Sequence, residues 1–326
     1  MTPGASQRNG ESLQPSAHQE SIPAPRRIAI TGTGGLIGSA IARRASESGF
    51  QVTRLVRRAA AHPGEISWDP SAGRIDAAGL EGHDAVIHLA GETIASLWTP
   101  GRKRRIRESR VDGTALLARA LVGFEHPPAT LIVASGVHYY GIRGTDEPVD
   151  ESAGPGEGFL AEVVHAWEAA ASPARDAGIR VVHMRFGLVL SRRGGVLPTM
   201  LPAFRLGLGG PLGTGRQWLS WIALDDVIRA ALFIVHNARI SGPVNFTAPE
   251  PVTNAEFTRV LARVLKRPAP FRLPAWLLRL LPGGMGEELL LGGIRAVPRR
   301  LLEAGFTFEY PSIDAALTAV LRPDAG

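Results

Sequence analysis

The chain has 326 residues, of which 44% are hydrophobic, so it is long enough for two domains or for one domain with a large lobe. It contains no cysteine, which excludes disulfide frameworks and thiolate metal sites. The formal net charge of +6 arises from 36 basic and 30 acidic residues, a modest excess that does not by itself indicate nucleic-acid binding.

Residues 1–25 are rich in Ser, Gln, Pro and Ala and have almost no apolar periodicity, so we expect a disordered tail. No apolar stretch typical of a signal peptide follows the start, and no apolar run is long enough to span a bilayer. The nearest candidate, residues 273–281, breaks at Pro282-Gly283-Gly284 and is expected to be a buried or groove-lining helix. We therefore expect a cytoplasmic protein with no membrane partner, as a monomer or a homodimer.

A glycine-rich turn follows the first apolar strand, Ile28-Ala29-Ile30, and precedes a helical pattern of apolar residues. Gly32 permits a tight turn, Gly35 lets the backbone approach a pyrophosphate, and Gly38 lets the helix pack close to the strand. The N–H groups and the positive dipole end of that helix suit phosphate groups. Strand, turn, helix and second strand come in the order of a dinucleotide-binding domain. The predicted cofactor contacts here are Gly32, Thr33, Gly34, Gly35, Leu36, Ile37 and Gly38.

The second strand, residues 51–56, runs directly into Arg57-Arg58. In NAD-preferring domains a carboxylate near the end of this strand bonds the ribose 2′-hydroxyl, but between Glu47 and Glu65 the chain has none. A guanidinium can direct two N–H donors at phosphate oxygens, so Arg57 and Arg58 suit a 2′-phosphate. We therefore expect NADP(H) as the cofactor; the alternative is that the two arginines only solvate the strand end.

Strands and helices alternate along the following chain. Residues 84–90 form a near-continuous apolar run, as expected of a strand that is covered on both faces of a parallel sheet. A helix is predicted over about 100–121, a strand over 130–135, a helix over about 158–171 and a strand over 180–186. This rhythm predicts right-handed crossovers and a doubly wound parallel α/β sheet, which binds ligands at the carboxyl ends of its strands. The expected rim comprises residues 32–38, Arg57, Ala90-Gly91-Glu92, residues 135–141 and residues 185–189.

A series of further motifs follows the glycine-rich turn. They include His88-Leu89-Ala90-Gly91-Glu92, Arg107-Glu108-Ser109-Arg110, Ser135-Gly136-Val137-His138-Tyr139-Tyr140-Gly141, Trp167-Glu168 and Arg185-Phe186-Gly187-Leu188-Val189-Leu190. Together they resemble the extended short-chain dehydrogenase/reductase superfamily, and most closely its atypical branch, the epimerase-like or SulA-like family. The resemblance runs from about residue 27 to residue 321.

The resemblance implies a Rossmann domain that is interrupted by a smaller, mainly C-terminal substrate lobe. The Rossmann domain would comprise residues 26–190 and 225–248, and the lobe residues 191–224 and 249–326. The Pro- and Gly-dense segments 197–215 and 282–293 suit loops over a cleft. Candidate cofactor contacts beyond the turn are Leu89, Ala90, Gly91, Glu92 and Arg185, the last of which could instead face a substrate carboxylate or an internal acidic partner.

The sequence departs from the superfamily in its catalytic residues. Typical members use a Tyr-x-x-x-Lys pair on a helix, in which Lys lowers the phenol pKa and holds the nicotinamide ribose. The only lysines here are Lys103 and Lys266, and neither has a tyrosine four residues before it. Alignment on Glu168 places Leu160 and Val164 at the Tyr and Lys positions, and neither side chain can transfer a proton.

The remaining polar groups concentrate after the strand at residues 130–135. The resemblance implies that Ser135 orients the substrate, and His138 or Tyr140 could serve as the replacement acid or base. The alternative for His138 and Tyr140 is an ordinary loop histidine and a packing aromatic. We predict Ser135, His138 and Tyr140 as the catalytic residues.

Other kinds of site have weaker support in the sequence. No compact histidine cluster is present, so no bound metal is expected. The basic run at residues 101–110 lacks an aromatic stacking platform, so it indicates a solvated helix face and no nucleic-acid partner. Within it, Arg107 and Arg110 are candidate phosphate or substrate contacts.

Two classes of function are therefore open. One is an NADP(H)-dependent enzyme that acts on a small polar or sugar-like molecule by oxidoreduction, epimerisation or dehydration. The other is a nucleotide-binding regulatory protein, in cell division or metabolism, that has kept the cofactor pocket without turnover. A cleft filled at the nicotinamide end by Trp218, Trp221 or Phe186 would favour the second class.

Overall fold

A computed structural model describes residues 27–143 and 146–322 of the chain. The predicted tail, residues 1–25, lies outside these described residues. Within them, no helix combines the length and the apolar character that a membrane crossing requires.

The elements follow one another closely along the described part of the chain. The strands are β1 (Arg27–Thr31), β2 (Gln51–Val56), β3 (Glu65–Asp69), β4 (Arg74–Ile75), β5 (Ala85–His88), β6 (Thr130–Gly136), β7 (Arg180–Phe186), β8 (Leu188–Leu190), β9 (Trp218–Leu219), β10 (Trp221–Ala223), β11 (Gly242–Phe246) and β12 (Val252–Thr253). The α-helices are α1 (Leu36–Glu47), α2 (Ala77–Leu80), α3 (Pro100–Val122), α4 (Phe159–Ala169), α5 (Ser172–Asp176), α6 (Leu197–Arg205), α7 (Leu224–His236), α8 (Asn254–Leu265), α9 (Ala275–Arg279), α10 (Arg299–Glu303) and α11 (Ile313–Leu321). Short 3₁₀ turns span Pro70–Ala72, Val137–Tyr140 and Pro282–Gly284, and a π-helix spans Gly286–Leu291.

Eight strands form one sheet in the order β11-β7-β6-β5-β1-β2-β3-β4. Every neighbouring pair is parallel except β3 with β4. The chain connections change direction between β1 and β5, and at such a point a crevice opens at the carboxyl ends of the strands. The doubly wound parallel sheet expected from the sequence is confirmed. Two small pairs, β8 with β10 and β9 with β12, lie outside this sheet.

Both faces of the sheet are covered by helices. On one face α1 and α7 pack onto the strands, with Ile41 and Ile234 fully buried. On the other face α3 and α5 do so, with Leu117 and Ala174 fully buried. Full burial of each of the larger side chains, Ile41, Leu117 and Ile234, contributes about 1.5–3 kcal/mol. Two-sided burial explains why β5 and β6 appear in the sequence as apolar runs without alternation.

A separate apolar cluster joins α6, α8 and α11 with β10, and its largest side chains are Phe204, Trp221 and Phe257. These elements come mainly from the two segments that the sequence assigned to a substrate lobe. In contrast, Leu301, Phe306 and Phe308 pack into the α1 and α7 side of the main sheet. This stretch of the expected lobe therefore contacts the main sheet, and the division into two lobes stays a prediction.

Packing requires glycine at position 38 of the glycine-rich turn but not at position 34. A Cβ atom on Gly38 would overlap the carbonyl oxygen of Gly32, because the first turn of α1 lies against the β1 turn. A Cβ on Gly34 would meet no atom within 4 Å. Gly32 itself has a φ of +71°, which disfavours any other residue.

We predict that Gly38→Ala lowers the free energy of unfolding by about 1–3 kcal/mol, since backbone must move to admit the methyl group. Gly34→Ala is the matched control and should stay within about 0.5 kcal/mol of the wild type. Urea unfolding of both variants without nucleotide measures the difference. Equal stabilities for the two variants would contradict the close packing of this turn.

Candidate functional site

A cavity of about 590 Å³ lies at the carboxyl edge of the main sheet. It brings together four of the strand ends that the sequence predicted to converge. The residues from these ends are Gly32, Gly35, Leu36, Ile37 and Gly38 after β1, Leu89, Gly91 and Glu92 after β5, Ser135, Gly136 and His138 at the end of β6, and Phe186, Gly187, Leu188 and Val189 after β7. Of the other predicted cofactor residues, Thr33, Gly34, Ala90, Arg57, Arg58 and Arg185 are not in this lining.

The N-terminus of α1 faces the cavity without a side-chain cap. Gly35 occupies the N-cap position, no side chain bonds the free N–H groups, and the first turn carries no acidic residue. The Gly35 N–H bonds the Gly32 carbonyl at 3.0 Å, which closes the turn. The following N–H groups of the helix are therefore free to bind an anion.

Thr31 holds the ends of β1 and β5 together beside this turn. Its Oγ1 accepts hydrogen bonds from the Leu89 and Ala90 N–H groups at 3.0 and 3.1 Å. The Thr31 hydroxyl lies 2.8 Å from Nδ1 of His88, and since its oxygen already accepts twice, it donates to that nitrogen. Burial lowers the pKa of His88 to about 4, so the ring is neutral at pH 7.

The two arginines after β2 differ in their surroundings. Arg58 binds both carboxylate oxygens of Glu65 at 2.6 and 2.8 Å, and this hydrogen bonding is the main cause that lowers the pKa of Glu65 to about 2. Arg57 is exposed and makes no side-chain hydrogen bond or ion pair with any described residue. The sequence did not predict that Glu65, at the start of β3, reaches the end of β2. Arg57 is thus the arginine whose donors are free.

A buried network of polar side chains lies behind Ser135. The Ser135 hydroxyl donates to Oε1 of Glu168 at 2.6 Å, and Arg185 binds both oxygens of the same carboxylate at 2.8 Å. Arg185 also donates to the Tyr140 hydroxyl at 3.0 Å, which in turn donates to Asn245 at 2.8 Å. Burial lowers the pKa of Arg185, but the hydrogen bonds and charge of Glu168 outweigh it and raise the pKa above its ordinary value.

This network corrects two of the predicted roles. Arg185 is 2% exposed and its guanidinium is used by Glu168 and Tyr140, so it has the internal acidic partner that the sequence left as an alternative. Tyr140 is fully buried, and burial raises its pKa to about 12. Both side chains support the cavity wall and do not reach into the cavity. Glu168, which is not among the site residues predicted from the sequence, accepts the hydrogen bond of the Ser135 hydroxyl and so orients it.

Two ionisable side chains line the cavity near Ser135. Burial, and then the charge of Arg110, lower the pKa of His138 to about 4, so His138 is neutral at pH 7. Arg110 lies over the Trp167 ring at 5.0 Å and donates only to the Ile106 carbonyl, at 3.0 Å, among the described residues. Its other N–H groups remain available in the cavity. Burial lowers the pKa of Arg110 to about 10.

The sequence predicts that Leu160 and Val164 stand where typical superfamily members carry the Tyr and Lys pair, and this assignment stays a prediction. Leu160 and Val164 lie on α4, and both line the cavity close to Ser135. Arg110 reaches the same cavity from α3, which packs against α4. The guanidinium of Arg110 therefore places a cation in the cavity, and this cation comes from α3 and not from α4.

The C-terminal segment closes one side of the cavity. Glu288, in the π-helix, accepts hydrogen bonds from the Phe159 and Leu160 N–H groups at 3.1 and 2.9 Å, so its carboxylate caps α4. Leu289 and Ile294 line the cavity on this side, and Ser220 donates to the Ile294 carbonyl at 2.6 Å. Glu288, Leu289 and Gly292 of segment 282–293 line the cavity. Both expected loop segments are largely helical, since 282–293 contains a 3₁₀ turn and a π-helix and 197–215 contains α6.

Comparison with known proteins identifies the family. The model of the NAD dependent epimerase/dehydratase family matches residues 28–246. The chain belongs to this family. Its members include epimerase family proteins such as that of Mycobacterium tuberculosis, which is 45% identical over 298 residues, covering 91% of this chain and 98% of that protein. The family resemblance expected from the sequence is confirmed. Residues 273–320 match a second model, a domain of unknown function (DUF1731).

Two solved structures have a fold similar to that of this chain. The crystal structure of human epimerase family protein SDR39U1 with NADPH has a TM-score of 0.81 at 33% identity, covering 90% of this chain and 98% of that chain. A nucleoside-diphosphate sugar epimerase from Corynebacterium glutamicum has a TM-score of 0.77 at 37% identity, covering 91% of this chain and 58% of that chain.

The Glu168–Arg185 pair yields a stability prediction. Glu168→Gln leaves a buried guanidinium without its counter-charge, so we expect the free energy of unfolding to fall by about 3–5 kcal/mol. Glu303→Gln, in the exposed Arg299–Glu303 pair, is the control and should change it by less than about 1 kcal/mol. Chemical denaturation measures both. A small effect for Glu168→Gln would mean that Arg185 is hydrated or neutralised by another group.

Proposed function

We propose that the chain binds NADP(H) and is an oxidoreductase or epimerase that acts on a small polar or sugar-like molecule. The observation that carries the proposal is one continuous cavity whose lining runs from the glycine-rich turn to Ser135 and His138. Such a cavity can hold the phosphates of a dinucleotide at one end and a substrate at the other. We also propose, as expected from the sequence, a cytoplasmic monomer or homodimer.

The residues at the first end fit the cofactor. Gly32, Gly35 and Gly38 line this end without side chains, and the uncapped N-terminus of α1 offers N–H donors to a pyrophosphate. The free guanidinium of Arg57 suits the 2′-phosphate that distinguishes NADP(H) from NAD(H). The NADPH bound to the human relative supports the same choice. When bound, NADP(H) supplies a hydride donor or acceptor.

The residues at the second end can orient a substrate and accept a proton from it. Because the Ser135 proton points to Glu168, the Ser135 oxygen presents lone pairs and accepts a hydrogen bond from a substrate hydroxyl. The free N–H groups of Arg110 suit a carbonyl or a developing oxyanion. His138 is neutral at pH 7, so one ring nitrogen can accept a proton and the other can donate a hydrogen bond.

The regulatory alternative has one observation in its favour. Leu160 and Val164 leave the usual proton-transfer positions apolar, as expected of a protein that has lost turnover. Against it, Trp218 and Phe186 line the cavity and leave its volume open, and the Trp221 side chain is buried elsewhere, with its indole N–H on the Glu250 carbonyl. The open cavity therefore favours an enzyme.

Cofactor choice is tested at the end of β2. Arg57→Ala should weaken NADPH binding by about 1–3 kcal/mol, because a charge-assisted phosphate contact is lost, and should leave NADH binding little changed. Arg58→Ala is the control, since Glu65 already holds that guanidinium. Calorimetric titration of the wild type and both variants with NADPH and with NADH gives the six affinities. Tighter NADH than NADPH binding by the wild type would refute the cofactor proposal.

Catalysis is tested by a screen of small carbonyl compounds and sugar nucleotides at saturating NADPH. His138→Ala should lower the turnover number by about 10²- to 10⁴-fold, as is typical for loss of a general acid or base. Tyr140→Phe should change it only a few-fold, because Tyr140 does not line the cavity.

The pH profile adds a second readout for His138. Since the pKa of His138 is about 4, its neutral form dominates above pH 5, and its titration should not change the rate between pH 6 and 9. Full turnover of His138→Ala would exclude His138 as the acid or base. Intact NADPH binding without turnover of any compound would favour the regulatory alternative.

A further inference from the structure

One surface of the C-terminal half exposes an unusual concentration of large apolar side chains. Eleven large hydrophobic residues are exposed among the described residues, and seven of them lie in two short segments, 206–208 and 271–280. The most exposed are Leu206, Leu280 and Trp276, at 74%, 70% and 65%. The seven residues are Leu206, Leu208, Phe271, Leu273, Trp276, Leu277 and Leu280.

Backbone hydrogen bonds hold these two segments side by side. The Phe271 N–H bonds the Gly209 carbonyl at 3.1 Å, and the Leu273 N–H bonds the Pro211 carbonyl at 3.0 Å. The Gly213 N–H returns to the Leu273 carbonyl at 2.8 Å. The two segments therefore adjoin at residues 209–213 and 271–273, and the short helix α9, which carries Trp276 and Leu277, follows directly from this contact. We call residues 205–208 and 266–280 the apolar-basic face.

The same face carries cations that have no partner on the protein. Arg205, Lys266, Arg267 and Arg272 are exposed, and their side chains form no hydrogen bond or ion pair with any described residue. Arg279 is also exposed, and it pairs with Glu287. The sequence contains no Asp or Glu over residues 177–224 or over residues 257–286. These segments therefore carry no carboxylate that could neutralise the cations of the apolar-basic face.

We propose that the apolar-basic face docks on an anionic lipid surface. Exposed Trp, Phe and Leu interleaved with Arg and Lys are typical of segments that lie in the headgroup region, where apolar side chains enter the acyl boundary and cations bind lipid phosphates. A second copy of this chain is a poorer occupant, because a two-fold contact of this face with itself would bring like charges together. Docking of this kind needs no membrane-spanning segment, so it revises the expectation of no membrane partner.

The test uses the full chain and sedimentation with vesicles of phosphatidylcholine alone or with 30% phosphatidylglycerol. We expect at least about tenfold stronger binding to the anionic vesicles, and loss of most of that gain between about 0.05 and 0.5 M salt. Equal binding to both vesicles, or binding to neither, would overturn the proposal.

Matched variants locate the binding surface. The triple variant Lys266→Glu, Arg267→Glu and Arg272→Glu should lose at least about tenfold in binding to anionic vesicles. A control with the same change in net charge, Arg105→Glu, Arg119→Glu and Arg239→Glu, should lose much less. Equal losses for the two triple variants would show that only net charge matters, which contradicts a defined face. NADPH affinity should be unchanged in the first triple variant, and this measurement also verifies that the variant is folded.

The apolar contribution and the competing occupant are tested separately. Vesicles with brominated acyl chains should quench the tryptophan fluorescence of the wild type, and Trp276→Phe should remove most of that quenching. Quenching that persists in Trp276→Phe would place another part of the chain in the lipid. Light scattering during size exclusion tests self-association. A dimer that Trp276→Ser dissociates would show that this face is an interface between copies of the chain.

Discussion

A guanidinium that leaves water needs a counter-charge, and in this protein Arg185 and Glu168 meet that need for each other at the centre of the site. Because both oxygens of Glu168 are bound by Arg185, the carboxylate cannot rotate, and the Ser135 hydroxyl has a fixed acceptor. The same guanidinium fixes Tyr140. Strand β7, strand β6 and helix α4 are thereby joined by one ion pair directly behind the cavity.

The network extends from there to the C-terminal segment. Tyr140 donates to Asn245 in β11, and the Asn245 amide donates to the Val297 carbonyl at 2.9 Å. The Asn245 N–H bonds Glu151 at 2.8 Å. Residues that are far apart in the sequence therefore share one set of hydrogen bonds, and each buried polar group in it depends on the others for a partner. This arrangement explains why the Tyr140 hydroxyl, which the sequence suggested as an acid or base, is hydrogen-bonded inside the protein and does not line the cavity.

The sequence predicts the main sheet well because its strands are either covered on both faces or adjacent to glycine turns. Strand β3 is not among the elements predicted from the sequence, although Ile66 and Trp68 are buried and alternate with less buried neighbours. The small strands β8, β9, β10 and β12 have two or three residues each, too few to show a period.

The site was only partly predictable for a related reason. Strand ends located Ser135, His138 and the glycine-rich turn, since the carboxyl edge of a parallel sheet is set by topology. The direction of each side chain is set by partners that no local pattern reveals. Arg185 points to Glu168 and Arg58 to Glu65, whereas Arg57 remains free. The carboxylate of Glu288 reaches α4 from more than a hundred residues further along the chain, and no spacing rule would find it.

The cap that Glu288 provides has a consequence for the order in which the protein forms. The contacts of its carboxylate with the N–H groups of Phe159 and Leu160 close loops of 129 and 128 residues, among the long-range contacts that form slowly. During synthesis α4 leaves the ribosome long before its cap exists, and its first turn must rely on water until then. The backbone hydrogen bonds that pair strands β1, β2, β3, β5, β6 and β7 involve none of the last fifty residues. The strand ends of the main sheet can therefore pair before the C-terminal wall of the cavity exists, and that wall closes only after residues 286–294 have been made.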